Sequence, residues 1–119
     1  MECSVIFTDE FERWWESLDI EEQESMTYSV DLLARLGVGL KFPHSSGVSG
    51  SRYRIQHQGR PYRVLYAFDP KRNAVLLIGG DKTGNERWYE TFVPMADRLY
   101  ERHLIELEDG DDYGKNEEL

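Results

Sequence analysis

The chain has 119 residues, a formal net charge of −9 and a single cysteine. This length fits one domain that buries its own core. One cysteine excludes an intramolecular disulfide and a Cys-x-x-Cys metal site. No basic segment precedes a long apolar run at the N-terminus, and no apolar stretch approaches the roughly 18 residues that span a membrane. We therefore expect a cytoplasmic protein that makes no membrane contact.

The charge is divided unevenly along the chain. Residues 1–31 hold ten acids and one base, residues 32–105 hold six acids and twelve bases, and residues 106–119 hold seven acids and one base. The basic middle suits a polyanion, whereas the acidic ends suit solubility or a basic partner. Ordinary solvated faces explain the same distribution, so charge alone selects no function.

A short β-type run at residues 4–8 leads into a first helix. Thr8 is the expected N-cap, because Asp9 and Glu10 then fall in the first turn, where the helix dipole favours negative charge. The apolar residues of this helix repeat at i, i+3, i+4 and i+7 and form one stripe: Phe11, Trp14, Trp15 and Leu18. We interpret the two tryptophans as packing residues.

A second helix is predicted from Asp19, with Glu22 three residues later in a capping-box pattern. It ends at Gly37, a residue type that is frequent just past a helix C-terminus. Its expected core-facing residues are Met26, Val30, Leu33 and Leu36. The two helices form a helical hairpin with an acidic outer face. Residues 40–51 contain Pro, Gly and Ser without periodicity, which predicts a loop.

Three segments bounded by turn residues have the composition of strands: residues 52–58, 62–69 and 74–80. Gly79 and Gly80 are expected to let the last strand turn sharply. A third helix is predicted at residues 85–107, and the acidic residues 108–119 are predicted to be a disordered tail. The order of elements predicts one α+β domain over residues 1–107. In it, a small antiparallel sheet is packed by an N-terminal helical hairpin and a C-terminal helix.

The register of the first two of these strands decides which side chains share a face. A tight turn at residues 59–60 pairs Gln56 with Arg63. Two residues further along, Arg54 pairs with Leu65. The two arginines are then diagonal neighbours about 7–8 Å apart, on the face that we expect to be open. Adjacent guanidinium groups repel unless an anion or a carboxylate lies near them. We interpret Arg63 as an anion-binding residue, with a structural ion pair as the alternative.

Two stretches of the chain resemble a known family. They are "VIFTDEFERWWESL" and "RIQHQGRPYRVLYAFDPKRNAVLLIGGDKTGNERWYETFVPMADRLYERHL", and together they cover about residues 4–107. Their most specific pieces are the "YRVLY" strand and the Gly-Gly-Asp-Lys-Thr segment. They resemble the RelE/HigB-type toxins of bacterial type II toxin–antitoxin systems, in the branch related to phage-derived Gp49-like proteins. The resemblance implies a RelE/ParE-like fold and a metal-independent mRNA endoribonuclease with no cofactor. Such a toxin acts on the ribosome, inhibits translation and is neutralised by a cognate HigA-type, DNA-binding antitoxin.

The resemblance also implies roles for single residues. Arg63 matches the family's mid-strand arginine, which stabilises charge on the phosphate, and Arg54 matches a basic position on the preceding strand. Lys82 matches the basic residue after the last strand, for charge stabilisation or proton donation. Tyr89 matches an aromatic residue that stacks on a base or assists the 2′-OH. Metal-free RNA cleavage needs these functions, because the 2′-OH attacks the phosphate and the 5′-oxygen leaves.

Further basic and aromatic residues are candidates for RNA contact, since cations bind phosphate and rings stack on bases: Arg60, Lys71, Arg72, Arg87 and Trp88. For Lys82 an ordinary loop position is the alternative. For Trp88 and Tyr89 the alternative is packing at the start of the third helix. The antitoxin is expected to contact the acidic N-terminal helices.

The chain departs from the family before residue 52, where relatives usually carry a longer Leu-x-Glu-Leu-Arg run. One alternative function is therefore an attenuated toxin-fold protein that only binds its antitoxin. The other is a ParE-like toxin that inhibits gyrase, because such toxins share the fold and lack nuclease residues. The combination of Arg63, Lys82 and Tyr89 favours the nuclease over the gyrase inhibitor.

Overall fold

The computed structural model describes residues 3–40, 45–49, 52–56, 61–84 and 87–109. Within these ranges the elements in chain order are β1 (Val5–Phe7), α1 (Asp9–Glu16), α2 (Ile20–Leu36), β2 (Ser45–Ser49), β3 (Arg52–Gln56), β4 (Tyr62–Phe68), β5 (Ala74–Asp81) and α3 (Trp88–Glu108). None of these helices is both long and apolar enough to cross a membrane.

The strands form one sheet in the order β1-β5-β4-β3-β2. Strands β2 to β5 make an antiparallel meander, whereas β1 pairs in parallel with β5. The predicted α+β class, with an N-terminal helical hairpin and a C-terminal helix, is confirmed. The sheet is mixed rather than purely antiparallel. After β1 the chain passes through two helices, re-enters the sheet at the opposite edge as β2, and reaches β5 beside β1 only at the end of the meander. Parallel pairing needs such a long crossover connection.

The predicted loop at residues 40–51 is partly wrong. Ser45–Ser49 form β2, which pairs with β3 through Ser46 opposite Arg54 and has an irregularity between Gly47 and Ser49. Gly and Ser have low strand propensity, so the edge pairing with β3 decides this strand, not the local sequence. The predicted turn at residues 59–60 and the predicted tail beyond residue 109 lie outside the described residues.

The predicted caps are present at the starts of α1 and α2. The Thr8 hydroxyl accepts from the Phe11 amide at 3.0 Å and donates to the Leu77 carbonyl at 2.7 Å, which ties α1 to β5. Asp19 and Glu22 exchange both bonds of a capping box at 2.8 Å. These bonds satisfy amide groups that have no partner within the helix.

The C-terminal end of α2 differs in one residue from the prediction. Gly37 has φ of 54°, the left-handed region that glycine adopts without strain. Leu36 was predicted to face the core, but it is 40% exposed. At about 100° per residue, position 37 continues the row of Val30 and Leu33, and position 36 lies beside it.

Helices cover both faces of the sheet. Helices α1 and α2 pack on one face, over a core that includes Phe7, Phe11, Met26, Val30, Leu33, Val64, Tyr66 and Leu76. Trp14 and Trp15 pack against this core, as predicted. Helix α3 packs on the other face, where its Ala96 and Leu99 meet residues of the strands: Ile6, Leu65, Ala67, Val75 and Leu77. The prediction of an open face is therefore wrong at Leu65, which is fully buried. Helix α3 covers apolar residues that would otherwise contact water.

Candidate functional site

The strand register places two arginines on one face, as predicted. Gln56 pairs with Arg63, and Arg54 pairs with Leu65, so the register prediction is confirmed. On its other side, Arg63 pairs with Gly80 of β5. Arg63 is half-buried, and its Nη1 donates to the Tyr62 carbonyl at 2.9 Å. Because paired residues project to the same side of a sheet, Arg54 and Arg63 both lie on the face that carries α3.

Lys82 follows directly after β5 and contacts the start of α3. Its amide donates to the Pro61 carbonyl at 2.7 Å, so sheet-like pairing continues past Asp81. Its Nζ lies 5.0 Å from the centroid of the Tyr89 ring. This is cation–π geometry, in which the ring face attracts the ammonium group. The structure thus brings the predicted residues Lys82 and Tyr89 into contact. We call Arg54, Arg63, Lys82 and Tyr89 the candidate site.

Two tryptophans lie against the glycines of β5 beside the candidate site. A Cβ atom on Gly79 would lie 2.3 Å from the Trp14 ring, and one on Gly80 would lie 2.9 Å from Trp88 Nε1. Trp14 approaches from the α1 face and Trp88 from the α3 face. The strand continues through both glycines to Asp81. The predicted sharp turn is therefore wrong, and close approach of the rings is the reason for glycine here.

Trp88 does not serve as an exposed base platform. Its side chain is 1% exposed and stacks on Phe92 with ring centroids 4.7 Å apart. The prediction that Trp88 contacts RNA is wrong, because no face of its ring is available to a base. The alternative of packing at the helix start is confirmed. Arg87 is exposed, and its guanidinium lies 4.0 Å from the Glu90 carboxylate.

Two other candidates, Lys71 and Arg72, lie away from the candidate site. Lys71 and Arg72 are exposed in the turn between β4 and β5. This turn follows Phe68, five residues beyond Arg63 along β4, which is about 17 Å at 3.3 Å per residue. The structure therefore places Lys71 and Arg72 at the opposite end of the sheet from the candidate site. Arg60 lies outside the described residues.

A buried polar pair that the sequence analysis missed joins the β4–β5 turn to α3. His103 Nε2 lies 2.8 Å from Asp69 Oδ2, and both side chains are buried. Asp69 also accepts from the amides of Lys71 and Asn73, each at 2.9 Å. Burial acts to raise the pKa of Asp69, but the hydrogen bonds from His103 and Asn73 outweigh it and lower the pKa. The Asp-Pro-x-x-Asn sequence signals the turn, but nothing local points to His103.

Two further side-chain interactions hold α3 in place, one to β4 and one to α1. Tyr100 donates its hydroxyl to the Phe68 carbonyl at 2.7 Å. Arg102 donates to both carboxylate oxygens of Glu10 at 2.7 and 3.0 Å, and this hydrogen bond lowers the pKa of Glu10. In the described ranges no group of three or more His, Cys, Asp or Glu side chains is arranged to hold a metal ion.

Comparisons with known proteins show the family to which the chain belongs. The family described as phage derived protein Gp49-like matches residues 13–101. Over 106 residues the chain is 40% identical to the candidate toxin HigB3 of Mycobacterium tuberculosis. The matched region covers 85% of this chain and 93% of HigB3.

Solved structures share the fold at low sequence identity. The isolated RelE toxin of E. coli superposes with a TM-score of 0.58 at 16% identity, over 78% of this chain and 98% of that chain. A chain of the toxin–antitoxin complex RelBE2 of Mycobacterium tuberculosis gives a TM-score of 0.55 at 17% identity, over 68% and 99%. The fold is therefore that of the RelE toxins. The chain itself belongs to the Gp49-like family of RelE/HigB-type toxins.

Proposed function

We propose that this toxin is a metal-independent endoribonuclease that cleaves mRNA on the ribosome in the cytoplasm and so inhibits translation. The observation that carries the proposal is the contact between Lys82 and Tyr89, beside the shared face of Arg54 and Arg63. Arg54 and Arg63 share the sheet face that carries α3, and Lys82 and Tyr89 are in contact where β5 leads to the start of α3. Such a group suits a phosphate flanked by an unstacked base.

Each residue has a distinct role in the proposed reaction. Arg63 and Arg54 bind the scissile phosphate and stabilise the negative charge that develops as the 2′-OH attacks. Lys82 stabilises the same charge or donates a proton to the leaving 5′-oxygen. Tyr89 stacks on a neighbouring base or assists the 2′-OH. Lysine and tyrosine as residue types are ordinarily protonated at neutral pH and so are poor general bases, and this suits an enzyme for which the ribosome completes part of the site.

We also propose that a cognate HigA-type, DNA-binding antitoxin neutralises the toxin. The solved RelBE2 structure is a toxin–antitoxin complex, and its fold matches this chain. The proposed contact is the outer face of α1 and α2, which presents exposed acids: Glu16, Glu21, Glu24 and Asp31. This face lies across the sheet from the candidate site, so neutralisation through it is indirect. A pull-down that recovers ribosomes and no small DNA-binding protein contradicts this partner.

Inducible expression without the antitoxin tests the function. Primer extension on several mRNAs after induction is expected to show new 5′ ends within translated regions, and growth is expected to stop. Lys82→Ala is the matched loss-of-function control. Induction of a DNA-damage response with intact mRNA instead favours the gyrase-inhibiting alternative. Unchanged growth and intact mRNA, together with antitoxin binding, favour the protein that only binds its antitoxin.

A further inference from the structure

We propose that Trp88 is a positioning residue that sets the distance between the end of β5 and the start of α3, and so holds Lys82 against Tyr89. Its role as a positioning residue for RNA cleavage rests on the proposed function. The geometric part, that Trp88 holds the contact between Lys82 and Tyr89, does not. Trp88 reaches no substrate itself, because its side chain is 1% exposed.

The Trp88 ring contacts β5 at Gly80 and α3 at Tyr89. On the strand side its Nε1 lies 2.9 Å from the place where a Cβ of Gly80 would be, so only glycine admits the ring there. Gly80 pairs with Arg63 and precedes Lys82 by two residues. On the helix side the Trp88 ring meets the edge of Tyr89, with centroids 5.1 Å apart and planes at 85°. A shift of this ring therefore displaces Lys82, Tyr89 or both.

Two observations indicate that the Trp88 indole does more than fill space at this position. Among the described residues, the buried Trp88 Nε1 has no hydrogen-bond partner, which is a cost that phenylalanine would avoid. In addition, Arg87 occupies the N-cap position of α3 and makes no side-chain cap bond, because a guanidinium group only donates. Packing of Trp88 between Gly80 and Phe92 takes over the role of fixing the first turn.

Trp14 supplies a matched control on the opposite face of the same strand. It lies against Gly79 as Trp88 lies against Gly80, and its ring also meets the edge of Tyr62 at 6.3 Å. Its ring is on the α1 face, away from the contact between Lys82 and Tyr89. Loss of either indole removes packing from β5, but only loss of Trp88 removes packing from the candidate site.

The experiment compares Trp88→Phe with Trp14→Phe in the full chain. The first readout is the NMR shift of the Lys82 ε-methylene protons, which the Tyr89 ring current displaces. The second is the cleavage of ribosome-bound mRNA. For Trp88→Phe we expect the Lys82 signal to move towards its value in an unstructured peptide. We also expect kcat to fall about tenfold to a hundredfold, as for a misplaced reacting group. KM should stay within about twofold. Trp14→Phe is expected to lower the melting temperature with neither effect.

A folded Trp88→Phe variant with an unchanged Lys82 signal overturns the proposal. If this variant does not fold, Gly80→Ala tests the same proposal by a change in β5, because the added Cβ must displace the Trp88 indole. An unmoved Lys82 signal in folded Gly80→Ala then overturns the proposal, and a moved signal supports it. If the wild-type protein cleaves no mRNA, the proposed function fails, whereas the Lys82 signal still decides whether Trp88 positions Lys82 and Tyr89.

Discussion

The two ends of the β4–β5 hairpin are held against α3 in different ways. At the turn end, directional polar bonds join the elements: His103 to Asp69 and Tyr100 to the Phe68 carbonyl. At the site end, Trp88 packs against Gly80, and the Lys82 ammonium lies over Tyr89. Polar groups at the turn end are occupied in holding the fold together. At the site end, packing of the Trp88 ring joins α3 to the sheet, and the Lys82 ammonium adds a contact to the Tyr89 ring.

The comparison predicts that substitutions at the site end impair chemistry and that those at the turn end impair stability. Arg63→Ala is expected to give the largest effect. Loss of one preorganised donor to a developing oxyanion lowers rates by about 10²–10³-fold. The free energy of unfolding should change by about 1 kcal/mol or less, as for a side chain that is not fully buried. Primer extension and a thermal melt of the same variant measure the two quantities. A variant that melts normally and still stops growth removes Arg63 from the mechanism.

Asp69→Ala tests the turn end. It leaves His103 and two turn amides without their buried acceptor, and removing one partner of a buried polar pair costs about 3 kcal/mol. Denaturant unfolding measures this loss, with exposed Asp31→Ala as the control. Below the melting transition, cleavage by Asp69→Ala should match the wild type per folded molecule. Loss of cleavage in a fully folded Asp69→Ala sample contradicts the division between the two ends.

Asp69 at the turn end and Glu10 in α1 also predict acid sensitivity. The pKa values of Asp69 and Glu10 are lowered in the folded state, from ordinary values of 3.8 and 4.5. A carboxylate with a lowered pKa stabilises the fold above its unfolded pKa, and this stabilisation is lost as the pH falls through the folded pKa. The contribution of these two carboxylates to the free energy of unfolding should therefore not change with pH near neutrality. It should decline below about pH 4.5. Asp69→Ala should decline less steeply than the wild type, and equal slopes contradict the assignment.

The smallest effect is expected from Lys71→Ala combined with Arg72→Ala. Because both lie far from Arg63 along β4, their loss should leave the rate of bond cleavage unchanged. As predicted RNA-binding residues, they should weaken ribosome binding by a few-fold and reduce its salt dependence by about one phosphate contact each. Binding at two salt concentrations, beside single-turnover cleavage, measures this. A hundredfold fall in the cleavage rate would place these residues in the reaction after all.

The sequence by itself determined the parts of the protein that depend on neighbours along the chain. The caps at Thr8 and Asp19 follow from side chains that reach amides three residues away. The pairing of Gln56 with Arg63 follows from a short connection and from the alternation of side chains in strands. Arg54 and Arg63 were placed on one face for this reason, and the prediction needed no knowledge of the rest of the fold.

Only the tertiary structure decided the features that join residues distant in sequence. The edge strand β2, the parallel pairing of β1 with β5, and the bond between Asp69 and His103 depend on partners that no local pattern specifies. The same holds for Trp88. Its composition predicted contact with an RNA base, but the ring is buried against Gly80. An aromatic ring beside basic residues gains free energy either from a base or from a core. Because α3 crosses the sheet and buries apolar area of both the helix and the sheet, the Trp88 ring becomes part of the core.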